Sequence, residues 1–272
     1  MSIKAPEFKL SYAHAVEAHR ELANSANMPL VVTAVDTQSG VRGDYVVKLN
    51  ASERMHKQAR LRELVAAFMA IELDIPVVVP AVIEVTADFV ETLLGKTFYG
   101  KASHSLGYNV GSEYIKNMPT LDNHIPLSEA QKAVGQHIFA FDVLIENVDR
   151  NFEKPNMLTD GSRLVMLDHE LAFSFALTPP FLRNPTPWAI ADHDQEWIRK
   201  HCLHTRLKGC VNGLADFSDK LVNLDPEFWD KVNELVPTEW FDDTLFTEIR
   251  DHCDGLVAHR DEFIHGIKQL LA

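Results

Sequence analysis

The chain has 272 residues, of which 46% are hydrophobic and 24% charged. That composition excludes collagen-like, low-complexity and disordered classes, and the length suffices for a continuous core in one large or two modest domains. Its 26 Lys and Arg stand against 39 Asp and Glu, a net charge of -13, and no basic stripe offsets that field, so no direct nucleic-acid partner is expected and a phosphate-bearing ligand needs metal counter-charge. Three cysteines, Cys202, Cys210 and Cys253, with no signal-peptide pattern, suit free thiols in a reducing, cytoplasmic setting. No apolar run approaches the ~20 residues that cross a bilayer, so no membrane partner is expected either.

In chain order, residues 12–24 are rich in Ala, Glu and His and their propensities predict a helix. The β-branched run Leu30–Val35 and the segment Tyr45–Leu49 read as two strands joined by a polar turn that carries Ser39, Gly40 and Gly43. Leu61, Leu64, Val65 and Phe68 fall at helical spacing and predict a core-facing stripe. Glu63, Ala66, Ala67 and Ala70 share the opposite face, a carboxylate on a row of small side chains open to close approach. Ile75–Pro80 ends that helix and begins a strand running to Val85, and residues 91–123 read as strand fragments and a connector.

Ser128 followed by Gln131 is a capping-box start, opening a helix with Val134, Ile138, Phe141 and Ile145 on its buried stripe. A loop from Glu146 to Pro155 follows, then short strands Asn156–Leu158 and Arg163–Leu167 around an Asp160-Gly161 turn. From about Asp192 onward the pattern is helical. Strands thus gather in the first half and helices in the second, an α+β order with a boundary between 118 and 128.

In an antiparallel hairpin turning at Asp160-Gly161, Asn156 and Asp168 become neighbours at its open end, which Asp149 enters on the preceding loop. Two carboxylates and an amide oxygen, hard ligands in incomplete number, suit Mg²⁺ shared with substrate phosphates. A hydroxyl attacking a γ-phosphoryl group needs a carboxylate base, a metal and a further cation on the phosphates. Asp149 fits the first role and Asn156 with Asp168 the second. Lys48 fits the third, on a strand after a glycine-containing turn, with Glu63 on the next helix placed to pair with it.

Tyr45-Val-Val-Lys48, the helix Arg62–Ala67 running into Ile75-Pro76, Asp149-Arg150 through Asn156, and Asp168 with Phe173 beyond it together resemble the HipA-like kinases, relatives of the phosphatidylinositol kinases and more distantly of eukaryotic protein kinases. The likeness spans roughly residues 30 to 175. It implies a bilobal protein kinase-like fold, with a β-rich N-terminal lobe (1–122) and a mainly helical C-terminal lobe (123–272), and ATP in the cleft. It also implies Lys48 on the phosphates, Asp149 as catalytic base, Asn156 and Asp168 on Mg²⁺, and phosphorylation of a protein Ser or Thr; in some members it implies a toxin role with an antitoxin-type partner. Asn156 follows Asp149 at a longer spacing than the best-known members use, so the loop must bulge around Phe152–Pro155. Ser39, Gly40 and Gly43 in the turn before Lys48 are expected to cradle the nucleotide phosphates, although Gly40 and Gly43 do not form the full glycine-loop pattern. A pseudokinase-like nucleotide- or partner-binding module and a small-molecule kinase are the alternatives.

Three further features have plainer readings. His201-Cys202-Leu-His204 with Cys210 matches no zinc spacing closely and reads as part of an amphipathic core helix. Ser39 is a turn serine, with autophosphorylation as the alternative by analogy with regulated relatives. The proline-rich stretch Phe173–Trp188 occupies the place of an activation or substrate loop, or of a rigid connector.

Overall fold

A computed structural model describes residues 2–22, 27–192 and 194–272. Five strands, β1 (Ser11–Glu21), β2 (Leu30–Asp36), β3 (Arg42–Lys48), β4 (Pro80–Val85) and β5 (Gly107–Glu113), close into a barrel in the order β1-β2-β3-β5-β4. Closure comes from a parallel pairing of β1 with β4, in which Ala13 faces Ile83. The helix predicted over 12–24 is therefore a strand, with its last two residues outside those described. Ala13 and Ala15 are buried while His14 is exposed, the two-residue period of a half-buried strand, and pairing on both sides outweighs the helical propensity of Ala and Glu. Two register shifts in its pairing with β2 bend β1 around the barrel.

Alternate strand residues, among them Leu30, Val32, Val47, Ile83 and Val85, form one apolar cluster with Phe89, Leu93 and Phe98. The last three come from or flank two short helices, α1 (Ala87–Glu91) and α2 (Tyr99–Ser103). The region expected to hold only strand fragments and a connector thus carries α2 and β5, with α1 ending at its start.

Between β3 and β4 runs α3 (Lys57–Glu72). His56 Nδ1 caps its start by accepting from the Ala59 N–H at 3.2 Å, and past its last residue, Glu72, Asp74 at φ 56° turns the chain left-handed. Its small-residue face is not open: Ala66, Ala67 and Ala70 are as buried as Leu61 and Leu64. Beyond its exposed first turn α3 is largely enclosed, and its side chains share one core with Val82 and Val110 of the barrel and with Ile138 and Phe141 of the helical region.

The segment after α3 pairs before reaching β4. Val77 bridges Met166 in parallel, so the strand expected from Ile75 begins in the barrel only at Pro80. Its partner belongs to a small hairpin, β6 (Met157–Thr159) and β7 (Leu164–Met166), whose other edge bridges Thr120 through Leu158. Connectors on both flanks thus hold the hairpin in place.

The C-terminal region is helical: α4 (Glu129–Leu144), α5 (Asp194–Lys200), α6 (Leu214–Lys220), α7 (Pro226–Leu235), α8 (Asp243–Ala258) and α9 (Arg260–Leu271). Ser128 and Gln131 form the expected reciprocal cap on α4, satisfying two otherwise free N–H groups. No described helix is long and apolar enough to cross a membrane.

Candidate active site

Lys48 is the last residue of β3 and nine-tenths buried. Its Nζ lies 2.6 Å from Asp168 Oδ1, 3.0 Å from Glu63 Oε2 and 3.2 Å from Glu170 Oε2. Four side chains from β3, α3 and the segment after β7 thus meet at one ammonium. Burial works against the Lys48 charge, yet Asp168, Glu63 and Glu170 together outweigh it and hold its pKa well above the ordinary value. The reverse applies to two carboxylates: burial raises the pKa of Glu63, and burial with Asp168 and Glu63 nearby raises Glu170 to about 7 in spite of Lys48. Asp168 is lowered, because the Lys48 charge and hydrogen bond overcome its burial.

The hairpin brings Asn156 and Asp168 together as the sequence predicts. Met157 faces Met166 in register, and the next rung is closed by the Leu167 N–H donating to the Asn156 carbonyl at 3.1 Å. Both residues sit in the left-handed region, Asn156 at φ 44° and Asp168 at φ 65°, so the chain turns sharply at both corners of the hairpin's open end. Asp168 starts no helix. The residues after it form a turn and then a 3₁₀ segment, Ser174–Leu177, and the Glu63 carboxylate accepts from the His169 N–H at 2.7 Å.

Asp149 lies on the loop after α4, its side chain largely buried and 3.8 Å from Lys154 Nζ. The longer spacing to Asn156 is absorbed by a local turn. Asn151 Oδ1 accepts from the N–H groups of Glu153 and Lys154, and Phe152 bulges out to pack edge-on against His124.

Arg150 organises what surrounds the loop. Its guanidinium, fully buried, donates to Asp142 Oδ2 at 2.6 Å, to the carbonyls of Asn156 and Leu167, and to His169 Nε2 at 3.0 Å. His201 Nε2 reaches the same Asp142 oxygen at 2.9 Å. Burial opposes ionisation of Asp142, but Arg150 and His201 prevail and lower its pKa to about 2. One side chain therefore fixes the Asp149 loop to both corners of the hairpin. The His/Cys cluster lies in a turn past the end of α5 rather than in the expected core helix: His201 serves Asp142, and His204 Nε2 separately bonds the Leu270 carbonyl at 3.1 Å. Among the described residues it forms no metal-ligating group.

The structure does not bring Ser39, Gly40 and Gly43 to Lys48. Leu30 pairs with Val47 at the Lys48 end of the β2–β3 hairpin, whereas Val35 pairs with Arg42 at the turn end. Five residues of strand separate the two ends by roughly 17 Å. The Ser39 hydroxyl is occupied locally, donating to Asp36 Oδ1 at 2.8 Å. The turn before Lys48 in sequence lies at the opposite end of the strand, and the ends of β1 and β2 at Glu21 and Leu30 lie at the Lys48 end.

Two participants lay outside the sequence reading, Glu170 and Asp142. Glu170 lies two residues past Asp168, beyond the stretch assigned a role, and a carboxylate in a turn carries no signal of burial. Asp142 is on α4 next to the apolar stripe, and an acid immediately beside Phe141 was its only sign.

Glu63, Asp168 and Glu170 can each present an oxygen within 4.8 Å of the others. A largely buried set of hard oxygen donors fits a divalent cation of the Mg²⁺ type.

This combination of a strand lysine paired with a helix carboxylate and an acidic hairpin corner is a phosphotransferase arrangement. The family model of the HipA-like kinases matches residues 41–254, and the chain belongs to that family. No curated relative matches it. Among solved structures, the Helicobacter pylori proinflammatory kinase CtkA aligns over 94% of this chain and 96% of its own, with 12% identity and a TM-score of 0.47. The MAP kinase LmaMPK10 from Leishmania major aligns over 94% and 83%, with 11% identity and a TM-score of 0.30.

Proposed function

We propose that this kinase transfers the γ-phosphoryl group of ATP to a Ser or Thr hydroxyl of a protein, with Mg²⁺ as cofactor and the nucleotide held between a barrel lobe (1–122) and a helical lobe (123–272). The observation that carries the reading is the Lys48 ammonium set between Glu63 and Asp168 at 3.0 and 2.6 Å, since a cation so oriented is placed to bind the non-transferred phosphates. Glu63 fixes it and at the same time holds the His169 N–H, so the lysine and the Asp168 corner are aligned by one carboxylate. Asp168 and Asn156 are the residues that would hold Mg²⁺, which when bound offsets charge on the transferring phosphoryl group. Asp149 orients the acceptor hydroxyl and takes its proton. Arg150 keeps Asp149 in register with both corners of the hairpin. A protein substrate is the expected partner, with an antitoxin-type protein as a second.

The test is ATP turnover by the wild-type chain and by Asp149→Ala, with and without Mg²⁺, read as released or transferred γ-phosphate. The expected loss on substitution is about a hundredfold or more, with the melting temperature nearly unchanged. An equally active variant removes Asp149 from the mechanism, and nucleotide binding without transfer by the wild type assigns the chain to a binding module.

A further inference from the structure

Glu170 is held from behind and reaches forward to two groups of the barrel region. Its backbone carbonyl accepts from Arg62 Nε at 2.9 Å, and Arg62, next to Glu63 on α3, is almost wholly buried. Its Oε2 contacts Lys48 Nζ at 3.2 Å and accepts from Asn27 Nδ2 at 2.5 Å. Asn27, 1% exposed, lies just before β2, at the Lys48 end of the barrel. It is anchored in turn to the chain just after Lys48: its carbonyl accepts from Ser52 Oγ at 3.0 Å and its Oδ1 from the Arg54 N–H at 3.3 Å. Lys101 Nζ also approaches that carbonyl, at 3.3 Å.

A single carboxylate oxygen thus joins the phosphate-facing lysine to Asn27. All three acids around Lys48 can offer an oxygen to a cation, and Glu63 also holds the His169 N–H. The described contacts of the Glu170 carboxylate beyond the acidic cluster itself are Lys48 and Asn27. We propose that Glu170 is a positioning residue for nucleotide binding: it holds the Lys48 ammonium and Asn27 in the arrangement that receives the phosphates. This rests on the kinase reading above. Glu170 acts through Lys48 and Asn27 and takes no part in proton or phosphoryl transfer.

The experiment measures binding of ATP with Mg²⁺ by calorimetry, and KM and kcat for ATP, for wild type, Glu170→Gln, Glu170→Ala, Asn27→Ala and the Asn27→Ala/Glu170→Ala double variant. Glu170→Ala is expected to weaken ATP affinity and raise KM about tenfold while kcat at saturating ATP changes by less than about threefold. Glu170→Gln, which keeps an acceptor for Asn27 but no charge for Lys48, falls between, and the double variant is no worse than the worse single one. Wild-type affinity in both Glu170 variants overturns the inference alone, as does a loss confined to kcat. A wild-type chain that binds no ATP overturns the kinase reading and this inference with it. Where Glu170→Ala does not fold, the near-isosteric Glu170→Gln carries the comparison.

Discussion

Arg150 Nε lies 2.6 Å from Asp142 Oδ2 with both side chains at zero exposure, so the loop that carries Asp149 is attached to α4 by an ion pair with no access to water. Removing one partner of such a pair strands a charge in the interior, at a cost of about 3–5 kcal/mol. Arg150→Met and Asp142→Asn are each expected to lower stability by that order, read as the midpoint of urea unfolding. A change below about 1 kcal/mol in both would mean that the pair contributes orientation without stability.

Lys48 neutralises part of a pocket lined by Glu63, Asp168 and Glu170. Lys48→Met removes the counter-charge and leaves three carboxylates facing one another, so the melting temperature in EDTA should fall below that of the wild type. Added Mg²⁺ should then raise it more in the variant than in the wild type, because the cation no longer competes with an ammonium. Equal responses to Mg²⁺ in the two proteins would show that these acids form no cation site.

His252 donates to the Leu144 carbonyl at 2.9 Å and stacks on Phe175 at 4.1 Å. Burial lowers its pKa to about 4, partly offset by that hydrogen bond. A histidine whose folded pKa lies below its unfolded value binds more protons when unfolded, so its contribution is intact above about pH 6.5 and lost as pH falls towards 4. Glu170, raised to about 7, has the opposite sign, favouring the folded state as pH falls from 7 towards the ordinary carboxylate range. The difference between wild type and His252→Gln isolates the histidine. It should narrow by roughly 3 kcal/mol between pH 7 and pH 4, measured by denaturant titration at each pH, and a pH-independent difference would exclude the linkage.

Gly111 on β5 faces Val47, the residue before Lys48, in the barrel register. A Cβ there would come within 2.5 Å of Ile83 Cγ1, a branched atom close to its own backbone with little room to withdraw. Gly111→Ala is expected to cost about 1–3 kcal/mol and to weaken nucleotide binding through the end of β3. Unchanged stability would indicate that Ile83 adopts another rotamer at no cost.

The local features of the site were legible because they depend on neighbours in the chain. The Ser128 cap and the β6–β7 hairpin, with Asn156 opposite Leu167 and so beside Asp168, follow from turn chemistry, and the Lys48–Glu63 pair from a strand lysine followed by a carboxylate on the next helix. The β1 strand was misread for the same reason. Alanine, glutamate and histidine carry helical propensity locally, and only pairing with β2 and β4 makes the segment a strand. The glycine turn at Gly40 and Gly43 was placed beside Lys48 because it is close in sequence, whereas a seven-residue strand carries the chain away from it.

By itself, the order of residues determined the sheet-then-helix succession and the types of side chain available for phosphoryl chemistry, since composition, spacing and capping act over short distances. The tertiary structure alone decided that Glu170 links Lys48 to Asn27, that Asp142 and His201 close around Arg150, and that Asn27 rather than the glycine turn lies at the Lys48 end. Burial sets those outcomes. An acid or an arginine becomes a fixed, paired group only when the packing of distant segments removes its water, and no window of sequence contains that information.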